Sequence, residues 1–214
     1  MLSCFAVTAS CQQPVDQVKK LDQALSSGET TISRILSDSS YISLHPLTSF
    51  REIIKKHATA EKITLNTDNE PGTKITIRGI LKDKSGKLLA DKLVYVYQTS
   101  SEGWYSDTAP HILMNEGDRR YARLFGYFKT GSAGEFEFNT VKPSGYPHSS
   151  LPAHIHIETA IDADHYFISE LQFDDDPRLT GAIRQRSIDE NFLIEKNSGT
   201  KENPVYSYIV QVRY

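Results

Sequence analysis

The run LPAHIHIE, Leu151–Glu158, sets two histidines one residue apart inside an apolar, strand-like stretch. Side chains alternate faces along a strand, so His154 and His156 point the same way, close enough to share one ion. Imidazole is the commonest metal ligand in proteins. A solvent-facing strand can carry the same pair as two polar residues, and at this level both readings stand. Glu158 falls on the same face, completing a set of two histidines and one carboxylate, the ligand logic of Fe(II) and Zn sites.

Strands must carry these residues, and the chain supplies them from residue 73 onward. TKITIRGILKD and KLVYVYQTS alternate in the strand manner around DKSGK, a turn sequence, and read as a hairpin. RLFGYFKTG and GEFEFNTV read as a second pair around GSAG. AHIHIETA, ISELQFDD and VYSYIVQVRY supply further strands, while DPRLTGAIRQRS and SIDENFLIEKN read as polar excursions between the last of them. Short strands with few helices between them predict a mainly β protein, an antiparallel β-sandwich.

Ahead of the strands the period is helical. Val15, Val18, Leu21 and Leu25 recur at helical spacing within 15–37, and Phe50, Ile53, Ile54 and His57 share a face of a second helix in TSFREIIKKHA. The expected division is therefore an anchor region at 1–14, a helical N-terminal segment at 15–69 and a β-sandwich catalytic domain at 70–214. The anchor reading rests on TASC, an imperfect lipobox ending at Cys11, after a short apolar run that also contains Cys4. It predicts an exported protein, a bacterial lipoprotein or periplasmic enzyme with a lipid on Cys11; a cytoplasmic protein with a chance cysteine is the alternative. A net charge of −3, with no basic run to meet phosphates, excludes nucleic acid as the expected partner. No apolar stretch has the length to span a bilayer.

Three local sequences stand in a telling order. VYQTSSEGWYSD places Tyr105 just beyond a strand; GSAGEFEFNTVKPSGYP runs from a turn through a strand to Tyr146; LPAHIH follows. Together they resemble the intradiol ring-cleavage dioxygenases, the catechol and protocatechuate dioxygenase family, over about Glu70 to Phe173. KPSGYP and PAHIH in this order are a specific signal, whereas either alone is weak. The resemblance implies a sandwich of the intradiol dioxygenase type and a non-haem Fe(III) ion held by Tyr105, Tyr146, His154 and His156. Phenolates are hard anionic donors suited to a trivalent ion, which in turn draws their pKa far below about 10. The implied substrates are a catechol-type aromatic and O2, the implied product a muconate-type diacid. Tyr146 is the ligand expected to leave the metal, admit the catechol and accept a proton.

The chain departs from the family pattern at Leu151, where an arginine commonly precedes PAHIH and stabilises developing negative charge. Arg119, Arg120, Arg123 and Arg178 are the candidates to supply that cation from elsewhere. His111 and His148 are candidate proton carriers near the pocket, while His45, His57 and His165 read as surface or helix-face residues. FDDDP reads as a polar turn. Two other functions remain consistent with the residues: a His/carboxylate enzyme using Fe(II) or Zn, in which Glu158 comes sooner than in cupin-type sites, and an exported, non-catalytic binding module. Tyrosine-rich edges suggest a homo-oligomer.

Overall fold

A computed structural model describes residues 9–105, 122–160 and 166–212. Helix α1 (Ala9–Ser27) presents Val18 and Leu21 inward and ends at Gly28, whose φ of 73° is a left-handed conformation that glycine adopts without a Cβ penalty. Helix α2 (Ile32–Ser37) is capped by Thr31, whose hydroxyl accepts from the Arg34 amide at 3.2 Å. A 3₁₀ turn (Ser39–Leu44) leads to α3 (Thr48–Lys56), which buries Phe50, Ile53 and Ile54. The Asp22 carboxylate joins α1 to the end of α3, receiving Lys56 Nζ at 2.9 Å and His57 Nε2 at 2.7 Å. The stretch expected to be helical at 15–37 is thus two helices broken at Gly28, the first beginning six residues earlier. The backbone of Cys11 lies in the first turn of α1, and Cys4 lies outside the described residues.

The rest is a sandwich of two sheets, mainly β as expected. One holds, in order, β1 (Ile63–Thr64), β5 (Glu135–Val141), β2 (Lys74–Lys82) and β9 (Val205–Gln211). The other holds β4 (Leu124–Lys129), β3 (Leu93–Gln98), β6 (His154–Ala160), β7 (Tyr166–Phe173) and β8 (Leu193–Glu195). The pairs β1–β5, β2–β9 and β7–β8 run parallel, the others antiparallel. Between the sheets Ile77, Phe138 and Val210 meet Val96, Ile157 and Leu171, all fully buried. Each such side chain contributes roughly 1.5–3 kcal/mol by leaving water. The ring of Phe136 lies across its partner Gly79 in β2, where a Cβ would come within 2.1 Å of it.

Two expected hairpins do not form. DKSGK does turn the chain, with Asp83 Oδ1 accepting from the Ser85 amide at 2.8 Å and Gly86 at φ 87°. GSAG does so too, with Gly134 at φ 71°. Yet β2 and β3 enter different sheets, as do β4 and β5. Turn chemistry marks where a chain reverses, not which sheet it enters next, and in a sandwich either sheet satisfies an alternating pattern. One of the polar excursions forms α4 (Gly181–Asp189), and the other includes β8. Helix α4 buries only Ser187, so it leaves no apolar stripe to read.

Candidate metal centre

In β6, Ile155 and Ile157 are fully buried against the core, which turns His154 and His156 to the outer face of the same sheet. Antiparallel register then sets Tyr97 of β3 on one side of His156 and Glu170 of β7 on the other, and places Gln172 opposite His154. The Tyr97 ring stacks on the His156 imidazole, centroids 4.4 Å apart and planes 14° from parallel. It belongs to a row of stacked rings, Tyr127, Tyr95, Tyr97 and His156, that crosses three strands.

The tyrosines come from two turns at the end of the sandwich. After β3 the chain folds back, the Ser100 amide donating to the Trp104 carbonyl at 2.8 Å, and delivers Tyr105. After β5 it runs through Pro143–Gly145 to Tyr146. The turns are stitched together: Ser144 N donates to Ser100 O at 3.0 Å, and the Thr99 hydroxyl donates to Ser144 O at 2.7 Å. Gly103, at φ 89°, lies so close that a Cβ would come 2.6 Å from the Gly145 carbonyl oxygen. Only a residue without a side chain admits that approach in that conformation. The Arg123 amide fixes the far side, donating to Tyr105 O at 2.7 Å.

These supports bring four donor atoms to one point. Tyr105 Oη lies 2.7 Å from Tyr146 Oη and 3.1 Å from His156 Nε2. Tyr146 Oη lies 3.0 Å from His154 Nε2 and 3.3 Å from His156 Nε2, and the two Nε2 atoms are 3.2 Å apart. The four residues expected from the sequence are therefore joined in one cluster, in contact through five of their six pairs. Donors around an ion at metal–ligand bonds of about 2 Å are spaced by about 3 Å, so the cluster has the dimensions of a ligand set. The tautomer of His154 agrees: its Nδ1–H donates to the Pro152 carbonyl at 2.8 Å, which leaves Nε2 as the lone-pair donor. Tyr105 and Tyr146 are 5% and 8% exposed, so the phenols face little water. Burial, and secondarily the Tyr146 phenol beside it, pushes the Tyr105 pKa far above the ordinary tyrosine value. Without a cation Tyr105 is a neutral phenol; a bound cation reverses that balance.

Among His, Cys, Asp and Glu, the described residues that cluster as a possible ion site are His154, His156 and Glu170, with donor atoms within 4.8 Å of one another. Glu170 was not singled out by sequence, because its neighbour His156 lies on another strand and only the β6–β7 register joins them. Gln172 Nε2 donates to Glu170 Oε2 at 2.9 Å. Glu158, the carboxylate weighed from sequence, shares the face but accepts from the Tyr166 hydroxyl at 2.7 Å and is absent from that cluster. Of the candidate cations, Arg123 makes a two-pronged ion pair with Glu70, and Arg178 donates to the Tyr146 carbonyl at 3.0 Å. His148 is exposed at φ 59° on the turn after Tyr146. His45, read as a surface or helix-face residue, is 2% exposed, its Nδ1–H donating to Arg123 O at 2.7 Å. Arg119, Arg120, His111 and His165 lie outside the described residues. A separate cavity of about 320 Å³, lined by Arg51, Tyr95, Tyr127, Glu158 and Tyr166 among others, lies further along the same face; none of the four donors lines it.

Comparison with known proteins gives a consistent picture. A family model described as Dioxygenase matches residues 49–213. The chain is 26% identical over 162 residues to catechol 1,2-dioxygenase 1 of Acinetobacter lwoffii, which covers 67% of this chain and 50% of the relative. It is 27% identical over 128 residues to chlorocatechol 1,2-dioxygenase of Rhodococcus opacus, covering 52% of this chain and 48% of the relative. The chain thus spans about half the length of these two curated relatives. Among solved structures, catechol 1,2-dioxygenase from Pseudomonas arvilla C-1 superposes with a TM-score of 0.54 at 17% identity, over 72% of this chain and 56% of that one. At that identity the match speaks for the fold.

Proposed function

The chain belongs to the intradiol ring-cleavage dioxygenase family, and from that premise we propose that it uses O2 to open a catechol-like aromatic between its two hydroxylated carbons. The cofactor in this reading is non-haem Fe(III), held by Tyr105, Tyr146, His154 and His156. The observation that carries it is the convergence of two phenol oxygens and two imidazole Nε2 atoms at 2.7–3.3 Å. Ferric iron, when bound, would withdraw electron density from a chelated catecholate and make its ring reactive towards O2.

The chain's own residues supply position and proton traffic. Two phenolates and two neutral imidazoles offset most of a trivalent charge. Stacking against Tyr97 fixes the plane of His156, and the Pro152 carbonyl fixes that of His154. Tyr146 Oη touches all three other donors, so its withdrawal frees space beside each of them. On leaving, the Tyr146 phenolate takes one proton from the diol; the second goes to solvent. Both atoms of O2 end in the product, a muconate-type diacid, so no further reductant is needed.

The test is the visible spectrum of iron-loaded protein before and after anaerobic addition of catechol. A broad tyrosinate-to-iron band that shifts with catechol is the expected result. A colourless protein with a full complement of iron would sink the two-tyrosinate centre and favour a second reading, a His154–His156–Glu170 site, for which the proximity of Glu170 is the specific support. A colourless protein that takes up no iron would favour a binding module. On TASC alone we also propose export with a lipid on Cys11; Cys11→Ser should then move the protein from the membrane fraction to the soluble one, and an unchanged distribution would overturn it.

A further inference from the structure

Tyr146 and His154 are joined by seven residues, Pro147–Ala153, that form neither helix nor strand, yet their donor atoms stand 3.0 Å apart. The link and its two ends supply three restraints: Ser149 N donates to Tyr146 O at 3.2 Å, Leu151 N to Ser149 Oγ at 3.1 Å, and His154 Nδ1–H to Pro152 O at 2.8 Å. The other holds come from outside, from the turn that follows β7. Asp176 Oδ2 accepts from the Ala153 amide at 2.9 Å, while Asp176 Oδ1 accepts from the Arg178 amide at 2.7 Å. One carboxylate therefore secures the histidine end of the link and shapes the turn that presents Arg178. The guanidinium then reaches back to the tyrosine end. Its Nη1 donates to Tyr146 O at 3.0 Å and lies 3.4 Å from Leu151 O, a weaker second contact. Gly145 makes room for it, since a Cβ there would come 2.5 Å from Nη1 and 2.2 Å from Leu151 O. Among the described residues no carboxylate lies within ion-pair distance of this guanidinium; its observed acceptors are carbonyls of the tyrosine link.

We propose that Arg178 is a positioning residue for Tyr146: by holding that residue's carbonyl and the Leu151 carbonyl, it sets where the Tyr146 phenol stands against the other three donors. The inference rests on the metal-binding reading above. A charged donor is well suited to the task, because a charge-assisted hydrogen bond is about twice as strong as a neutral one. The planar fork of arginine also loses less freedom per bond than lysine would. Tyr146 Oη, like His156 Nε2, is in contact with all three other donors, so a small displacement of its backbone changes the whole set.

The test compares iron-loaded wild-type protein with Arg178→Met and Arg178→Lys, reading the tyrosinate band and the rate of iron release to a chelator. Arg178→Met should shift or weaken the band and speed release about tenfold or more. Arg178→Lys, which keeps a charged donor, should recover part of both. Gly79→Ala serves as a control, placed in the other sheet and overpacked against Phe136; it should lower the melting temperature and leave the band in place. A wild-type band and release rate in Arg178→Met would overturn the proposal, as would an equal spectral change in Gly79→Ala. If Arg178→Met fails to fold, Arg178→Gln is judged by the same criteria. A wild-type protein without the band would instead defeat the two-tyrosinate reading. Positioning is then read from amide exchange of 145–153 in the metal-free chain, faster in Arg178→Met if Arg178 holds the link and unchanged if it does not.

Discussion

Tyr105 and Tyr146 carry the same functional group in one cluster, but their environments give them different tasks. Tyr105 is the more buried, its carbonyl is tied to the Arg123 amide, and burial raises its pKa strongly. Tyr146 sits on a link restrained partly from outside and touches every other donor. Tyr105→Phe should therefore abolish the visible band and most iron retention. Tyr146→Phe should keep a measurable share of the iron, because Tyr146 is the donor expected to leave when catechol binds, but lose catechol affinity by about tenfold or more, the cost of the proton acceptor. Iron analysis and anaerobic catechol titration of both variants check this, and equal behaviour would mean the two phenols are interchangeable.

Element by element, the helical segment meets the sheet that bears the site through His45. Its ring stacks on Phe50 of α3, meets Phe125 of β4 edge-on, and donates to the Arg123 carbonyl. Burial, opposed in part by that hydrogen bond, holds its pKa down to about 4. The unfolded chain protonates this histidine near pH 6.5 while the folded one resists until about 4, so stability falls as pH drops through that window. The loss reaches about 3 kcal/mol at most for a shift of this size. Denaturant unfolding at pH 7 and pH 4.5 should show a smaller difference in His45→Asn, which keeps a donor and loses the titration. Among the elements, α3 was legible because Phe50, Ile53 and Ile54 repeat at helical spacing, and β6 because Ile155 and Ile157 alternate with the histidines. The partners of β2 through β5 were not, since sheet choice is decided by packing across the core. Glu170 escaped notice for the same reason: its closeness to His156 is a matter of register, a relation between two distant segments.

At the scale of the molecule, the sandwich holds three separate pieces of chain in one place: a turn after β3, a turn after β5 and the strand β6. The buried Glu70–Arg123 pair ties the approach to β2 to the start of β4, and the Arg123 amide passes the constraint to Tyr105. Replacing the carboxylate by an amide removes the charge from a two-pronged pair, so Glu70→Gln should destabilise the fold by about 1.5–3 kcal/mol. It should also weaken iron retention, which a melting curve and a chelator competition would show together; loss of stability with unchanged iron binding would separate Arg123 from the site. The four donors were legible through the resemblance of KPSGYP and PAHIH to the family's motifs, while what holds them, glycine against carbonyl and arginine against loop, emerged only once the chain was folded. The turn that delivers Tyr105 has an optical consequence. It also contains Trp104, the one tryptophan of the sequence, whose carbonyl closes that turn. Indole fluorescence in this protein therefore originates beside the cluster and nowhere else. A coloured centre forming next to it would quench that emission, and its return would time the departure of the ion.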